Sequence, residues 1–391
     1  MPASSGWRAR ARRRGLKLGS RVLQRDEVLT TPSGKSRARA LGIPFAGRPG
    51  PLNSITDVPG VEVGYTTLIE GAGARVVGHG PVRTGVTALL PRGRASAASS
   101  VFAGYFSLNG NGELTGCHWV EESGRCEGPI CITNTHSCGM ARDATIKWLV
   151  QRTGGIGQWA LPVTGETFDG YLNDINGFHV RDEHVFAALD GARGGAIEEG
   201  SVGGGTGMIC YGFKGGSGTA SRIVDFAGHE YRLGAFVQSN FGRREQLTIA
   251  GVPVGMALKD WEPDPRKTEA GSVIAIVGTD APLLAHQLKR LARRVSLGIG
   301  RAGAVSGHGS GDIFLAFSTA NEEALHSEER LAALEFIPDA QLNPFFEAVI
   351  QAVDEAVINS MIANETMQGC DGHVVHALPH AEVRRLLGLA R

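Results

Sequence analysis

Residues 259–282 read KDWEPDPRKTEAGSVIAIVGTDAP. The stretch up to Gly271 is charged, contains Pro263 and Pro265, and predicts an exposed loop. Ser272-Val273-Ile274-Ala275-Ile276-Val277 is then apolar without alternation, which predicts a strand buried on both faces. Loop and strand meet at the single bond Gly271–Ser272. Past the strand, Gly278-Thr279-Asp280-Ala281-Pro282 supplies an N-cap candidate and a first-turn proline, predicting a helix over 281–297. This strand–turn–helix unit puts Ser272 at the mouth of a sheet.

A serine in that position suits self-cleavage. Its hydroxyl could attack the Gly271 carbonyl, because glycine lacks a Cβ and tolerates the strained backbone that exposes the carbonyl. Hydrolysis would free an α-amine, whose ordinary pKa of about 8 lies far nearer neutrality than that of a lysine. Such an amine can act as general base to its own hydroxyl. Taken alone, however, a serine that merely begins a strand explains the local pattern more simply.

Other segments offer partners. Ser306-Gly307-His308-Gly309-Ser310-Gly311-Asp312 leads into the apolar run Ile313–Phe317, and period-two alternation puts Ser310 and Asp312 on one face. They could relay a proton; a glycine-rich turn with a capping Asp is an equal reading. His308 invites a Ser/His/Asp triad, but in so glycine-rich a loop it reads as an exposed bystander. The segment Val237–Gly242 ends a predicted strand with Asn240, a neutral amide donor of the kind that stabilises an oxyanion, although an ordinary turn Asn is by itself the simpler reading. Glu166 and Asp169 form an acidic patch that could hold a substrate ammonium, or a solvated turn. The tract 200–219 lacks the spacing of a phosphate cradle and reads instead as two glycine-rich loops flanking a β-hairpin along a substrate channel.

Composition narrows the class. The 391 residues carry 39 Lys+Arg against 39 Asp+Glu, which excludes a nucleic-acid binder held by bulk charge. Apolar residues at 42% suffice for a large core, and no apolar run reaches membrane-spanning length. Gly, at 56 residues, is roughly twice its usual share, so many backbones turn tightly or approach closely. Six scattered Cys, with no CxxC pair, predict neither a disulfide framework nor a zinc site, and suggest a reducing, cytoplasmic location. Residues 1–35 read as a basic, disordered extension. Their arginines superficially resemble a twin-arginine signal, but Arg21, Arg25, Asp26 and Glu27 interrupt its apolar stretch, and a start site placed too far upstream is an equal reading. The remaining chain, 36–391, reads as one domain of interleaved elements. Strands are predicted at 61–68, 86–90, 129–133, 208–213, 231–238 and 247–250, with further helices at 139–152 and 344–363.

The segments ALGIPFAGRPGPLNSITDVPGVEVGYTTLI (40–69), GETFDGYLNDINGFHV (165–180), GSVGGGTGMICYGFKGGSGTASR (200–222), VQSNFG (237–242), EAGSVIAIVGTDAPL (269–283) and GHGSGDIFLAFST (307–319) together resemble the DmpA-like family of self-processing serine aminopeptidases. The resemblance runs from about Arg37 to the C-terminus. It implies an α+β fold, a four-layer αββα sandwich similar to N-terminal nucleophile hydrolases but differently connected. It also implies cleavage between Gly271 and Ser272, giving chains 1–271 and 272–391, with Ser272 as nucleophile. Ser310 and Asp312 fall on proton-transfer positions, Asn240 on the oxyanion donor and Glu166 on the group that holds the free amine of a short peptide, amide or ester. Phe168 stands where some members carry a Tyr, so that either Asn240 and backbone amides carry the oxyanion or nearby Tyr171 substitutes for the missing hydroxyl. No cofactor is implied, and a tetramer of two-chain units is. An acyltransferase of the ornithine acetyltransferase type shares the self-cleavage, but uses Thr where this chain has Ser272. A binding protein that kept the fold without processing is the other alternative.

Overall fold

The computed structural model describes residues 28–155, 159–263, 265, 271–325 and 331–389. Two sheets stack face to face. The first has strand order β1-β2-β5-β6, where β1 is Glu62–Glu70, β2 Val82–Leu90, β5 Ile130–Asn134 and β6 Val163–Thr167. The second has order β4-β3-β12-β11-β10-β9, with β3 Ser100–Gly110, β4 Arg125–Glu127, β9 Gly216–Phe226, β10 His229–Asn240, β11 Ser272–Thr279 and β12 Gly311–Ser318. β5/β6 and β11/β12 run parallel; every other neighbouring pair in these two sheets is antiparallel.

Alternating side chains on β11 separate the layers. Ile274 and Ile276 point into the apolar seam between the sheets, with Ile130, Ile132 and Val163 of the first sheet. Val273, Ala275 and Val277 face the opposite way, towards helices α3 (Ala285–Arg301) and α4 (Asn343–Ile362). On the far side, α1 (Cys138–Thr153) and α2 (Asp182–Asp190) cover the first sheet through Trp148, Leu149, Val185 and Leu189. The αββα sandwich is therefore present, and β11 is buried on both faces because a layer lies against each. Glycine sets the helix-to-sheet spacing: a Cβ on Gly218 would sit 2.1 Å from the Ala356 carbonyl of α4.

Several boundaries differ from the sequence reading. The helix after β11 starts at Ala285, not 281, so Pro282 belongs to the preceding loop. Residues 247–250 form no strand, only an isolated Ile249–Val252 bridge. Residues 208–213 are no single strand either: Tyr211, at φ 51°, and Gly212 break them into the hairpin of β7 (Ile209–Cys210) and β8 (Phe213–Lys214). β3, β4, β6 and β9 were not anticipated: in SVFAGYFSLNG and GSGTASRIVDF, Gly and Ser interrupt the strand-forming residues, leaving neither an unbroken apolar run nor a clean alternation, and β4 and β6 are short. Of the supposed extension, residues 1–27 lie outside the described residues. Residues 28–35 are tied in: Thr30 bridges to Ser36, and Ser33 Oγ donates to Glu198 at 2.8 Å.

A buried charge network fastens residues 37–57 to α4. Glu355, fully buried, accepts from Arg39 (2.6 and 2.8 Å), Arg222 (2.8 Å) and Asn53 (2.6 Å). Burial works against its ionisation, but the Arg39 hydrogen bonds and the two guanidinium charges hold it below the usual carboxylate range. Glu355→Ala strands Arg222 without its anion, so we expect a loss of about 3–5 kcal/mol in denaturant unfolding. A loss under about 1 kcal/mol would show that the network contributes no more than a surface pair.

Candidate active site

The site opens at one end of the inter-sheet seam. There the C-terminal ends of β5 and β6 meet the start of β11 and β12 and the end of β3. Gly165 permits the approach: a Cβ on it would lie 3.2 Å from the Ile274 side chain across the seam. The resulting cleft, about 500 Å³, is lined by Gly110, Asn111, Gly112, Glu113, Thr135, Glu166, Phe168, Gly271, Ser272 and Gly309. That volume suits a small ligand.

Ser272 is the first residue of β11 and only 6% exposed. Its Oγ donates to the carbonyl oxygen of Gly271 at 2.8 Å, so the hydroxyl lies against the carbonyl it would have to attack. The same carbonyl accepts from Gly311 N at 3.0 Å. Two donors thus polarise the carbonyl of the one bond that the sequence singles out. Gly311 is directly beside Ser272 in the parallel ladder, which leaves Ser310 and Asp312 one residue to either side. Ser310 Oγ donates to Asp312 Oδ1 at 2.7 Å, and both residues are buried. Asn109 and Asn111 hold the loop before them, donating to the carbonyls of Ser306, Gly307 and Gly309. His308 is exposed and does not line the cleft.

Asn240 pairs with Ser272 across the β10/β11 ladder and is fully buried. Its Oδ1 accepts from Ile209 N at 2.9 Å and its Nδ2 donates to the Phe168 carbonyl at 2.9 Å, which fixes the orientation of the amide. It is no turn residue.

Glu166, on β6, is 2% exposed yet belongs to the cleft wall. One oxygen accepts from Glu113 N at 2.9 Å and the other from the Thr135 hydroxyl in a short hydrogen bond. Burial pushes its carboxyl up, while the Thr135 and Glu113 hydrogen bonds work the other way and favour the carboxylate. Nothing here resembles a solvated turn. Asp169, its partner in the sequence reading, does not line the cleft: it is 1% exposed, Asn173 Nδ2 donates to it at 3.0 Å, and burial pushes its carboxyl up to about 7.

Phe168 is half exposed on the cleft wall, an apolar surface beside Ser272 and Glu166. Tyr171 is elsewhere. Its ring stacks on His373, centroids 4.2 Å apart and 7° from parallel, and it packs against a small cluster around Leu172, Ile209 and Val375. It is therefore not a lining residue that could replace a missing phenol. The β7–β8 hairpin, read as a channel wall, likewise does not line the cleft and reaches the site through the Ile209 N–H, which donates to Asn240 Oδ1. Thr135 and Glu113 were missed. Thr135 could have been noticed as a polar residue just past the C-terminal end of a buried strand, where open sheets place their ligands.

Among the described residues no group of His, Cys, Asp and Glu could hold a metal ion. No helix among them is long and apolar enough to cross a membrane.

Residues 53–375 match Peptidase family S58. The β-peptidyl aminopeptidase BapA of Sphingosinicella microcystinivorans is 50% identical over 364 residues, covering 90% of this chain and 91% of that one. Among solved structures, the L-aminopeptidase D-Ala-esterase/amidase of Ochrobactrum anthropi superposes with a TM-score of 0.85 at 49% identity, covering 90% of this chain and 98% of that one. It is described as a prototype for the serine aminopeptidases and a new variant among the Ntn hydrolase fold. The PH0078 protein of Pyrococcus horikoshii OT3 gives a TM-score of 0.85 at 45% identity, covering 90% of this chain and all of that one.

Proposed function

The chain belongs to peptidase family S58, and from that premise we propose that it is a serine aminopeptidase that processes itself at Gly271–Ser272 and then releases N-terminal residues from short peptides, amides or esters. The observation that carries the reading is the contact of Ser272 Oγ with the Gly271 carbonyl at the floor of a cleft walled by a buried carboxylate.

In self-cleavage Ser272 Oγ attacks the Gly271 carbonyl carbon, its proton passes to the departing nitrogen of residue 272, and the resulting ester is hydrolysed. The products are a Gly271 carboxylate and a Ser272 α-amine. In turnover that amine takes the hydroxyl proton as Oγ attacks the substrate carbonyl, and the proton is passed on to the leaving amine; water then cleaves the acyl-enzyme. Ser310 and Asp312, hydrogen-bonded to each other beside the start of β11, assist the proton movement. Asn240 Nδ2 donates to the oxyanion. Glu166, whose carboxylate form the Thr135 and Glu113 hydrogen bonds favour against the opposing and larger effect of burial, pairs with the ammonium of the substrate, while Phe168 packs on the acyl side chain. β-Aminoacyl groups belong among the substrates, since a relative half identical to this chain is named a β-peptidyl aminopeptidase. The working unit is a homo-oligomer of two-chain protomers.

Denaturing electrophoresis of the purified protein tests this directly. Two chains are expected, the smaller beginning at Ser272, together with hydrolysis of an aminoacyl p-nitroanilide. A single 41.2 kDa band that turns nothing over would mean a binding protein on the same fold.

A further inference from the structure

Lys214 has no exposed surface, and the chemistry above does not use it. It lies on β8 directly across from Ile209. Its Nζ donates to two backbone carbonyls, those of Met208 at 3.0 Å and Gly215 at 2.7 Å. The Met208 carbonyl also accepts from Gly215 N at 3.0 Å. That carbonyl is one end of the Met208–Ile209 peptide group, and the other end is the Ile209 N–H that donates to Asn240 Oδ1 at 2.9 Å. The Asn240 amide in turn aims its Nδ2 at the cleft wall, donating to the Phe168 carbonyl at 2.9 Å. Ammonium, peptide and carboxamide thus stand in series, each donating to the carbonyl of the next.

A cation is a costly choice for this position. Burial among neutral carbonyls disfavours the ammonium and, helped by the charge of Lys35, pushes its pKa down to about 7. An apolar side chain of similar volume would fill the same space without that penalty. What the amine adds, most strongly in its protonated form, is polarisation. A donor on a peptide carbonyl strengthens the N–H at the other end of that peptide, and the effect passes along a hydrogen-bonded series.

We infer that Lys214 is a positioning residue for the oxyanion: through the Met208–Ile209 peptide it orients and polarises the Asn240 carboxamide, strengthening Nδ2 as a donor to the tetrahedral intermediate. The inference rests on the reading of Asn240 as oxyanion donor. Lys214 exchanges no proton with substrate and makes no contact with it.

The test is a double-mutant cycle on the purified, chain-cleaved enzyme with an aminoacyl p-nitroanilide. Lys214→Met is expected to lower kcat about 10-fold with KM unchanged within about twofold, because the oxyanion exists only past the ground state. Asn240→Ala is expected to lower kcat about 100- to 1,000-fold. The double variant should match Asn240→Ala alone, since the series then has nothing to act on. Losses that multiply in the double variant, or an unchanged kcat in Lys214→Met, would overturn the inference. Asn364→Ser is the control. Its Nδ2 braces the same hairpin by donating to the Lys214 and Gly215 carbonyls, and kcat should be unaffected; a drop equal to that of Lys214→Met would reduce Lys214 to a prop. If Lys214→Met does not fold, Lys214→Gln, which keeps a donor without the charge, enters the same cycle. Failure of both to fold assigns the residue to hairpin stability alone and ends the inference. Wild-type protein without activity, or Asn240→Ala with full kcat, would instead defeat the underlying functional reading.

Discussion

Ser272→Ala yields one uncut chain that hydrolyses no aminoacyl p-nitroanilide, a loss of about 10⁴-fold or more in kcat. The reason is that one oxygen serves both reactions. Removing Oγ takes away the group that lies 2.8 Å from the Gly271 carbonyl oxygen, and with it the ester intermediate of self-cleavage. The uncut chain also keeps residue 272 as an amide, which has no lone pair available as a base. The Gly311 N–H still donates to the scissile carbonyl, yet a polarised carbonyl without a nucleophile does not react. The small size of the change matters here: Ser272 is nearly buried in a fully formed strand, and Ala fits that strand, so the variant should retain wild-type thermal unfolding. Mass spectrometry of the variant reads the first loss and a chromogenic assay the second. Cleavage at 271–272 or measurable turnover in a well-folded variant would remove Ser272 from the chemistry.

Glu166→Gln separates amine recognition from acyl transfer. We expect kcat/KM for a free-amine substrate to fall about 100-fold, chiefly through KM, since a buried charge-assisted contact replaced by a neutral one costs about 2–3 kcal/mol. An N-blocked ester, which carries no ammonium, should be cleaved by the variant as slowly as by wild type. Equal losses on both substrates would show that Glu166 serves the fold or the catalytic step and not the amine. The pH dependence has a definite sign. Burial, the largest influence, raises the Glu166 pKa above its ordinary value, so the carboxylate is lost as pH falls through that raised value, and competitive inhibition by a simple primary amine should weaken there. The Gln variant should show no such inflection. If amine inhibition follows the same curve in both proteins, the titrating group is another one.

Much of this was legible from residues alone. β11 could be recognised because its unbroken apolar run is short, rich in Val and Ile and bounded by Gly271 and Gly278, which favours a strand covered on both sides over a buried helix, with its first residue at a sheet end. Helices 138–153 and 343–362 followed from the three- and four-residue recurrence of apolar positions. β3 and β9 were not legible. Their glycines and serines have no strand preference of their own, and they become strands because β12 and β10 offer them unpaired edges. The start of α3 was misjudged because a proline in a loop and a proline in a first turn look the same until the neighbouring residues are placed.

The site divides in the same way. Local pattern offered Ser272, Ser310, Asp312, Asn240 and Glu166 only as candidates, each with an equally good or better reading as an ordinary strand start or turn, and the family resemblance is what singled them out. Which of these share a cleft, that Glu166 is buried and held by Thr135, that Tyr171 turns away to His373, and that Lys214 stands behind Asn240 were decided by the packed chain alone. The physical reason is range. Periodicity and capping act over a few residues and are written locally. The approach of β6 to β11, and of a hairpin at 209–214 to a strand end at 240, joins residues far apart in sequence, whose distances are set only when two sheets and two helical layers close on a common core.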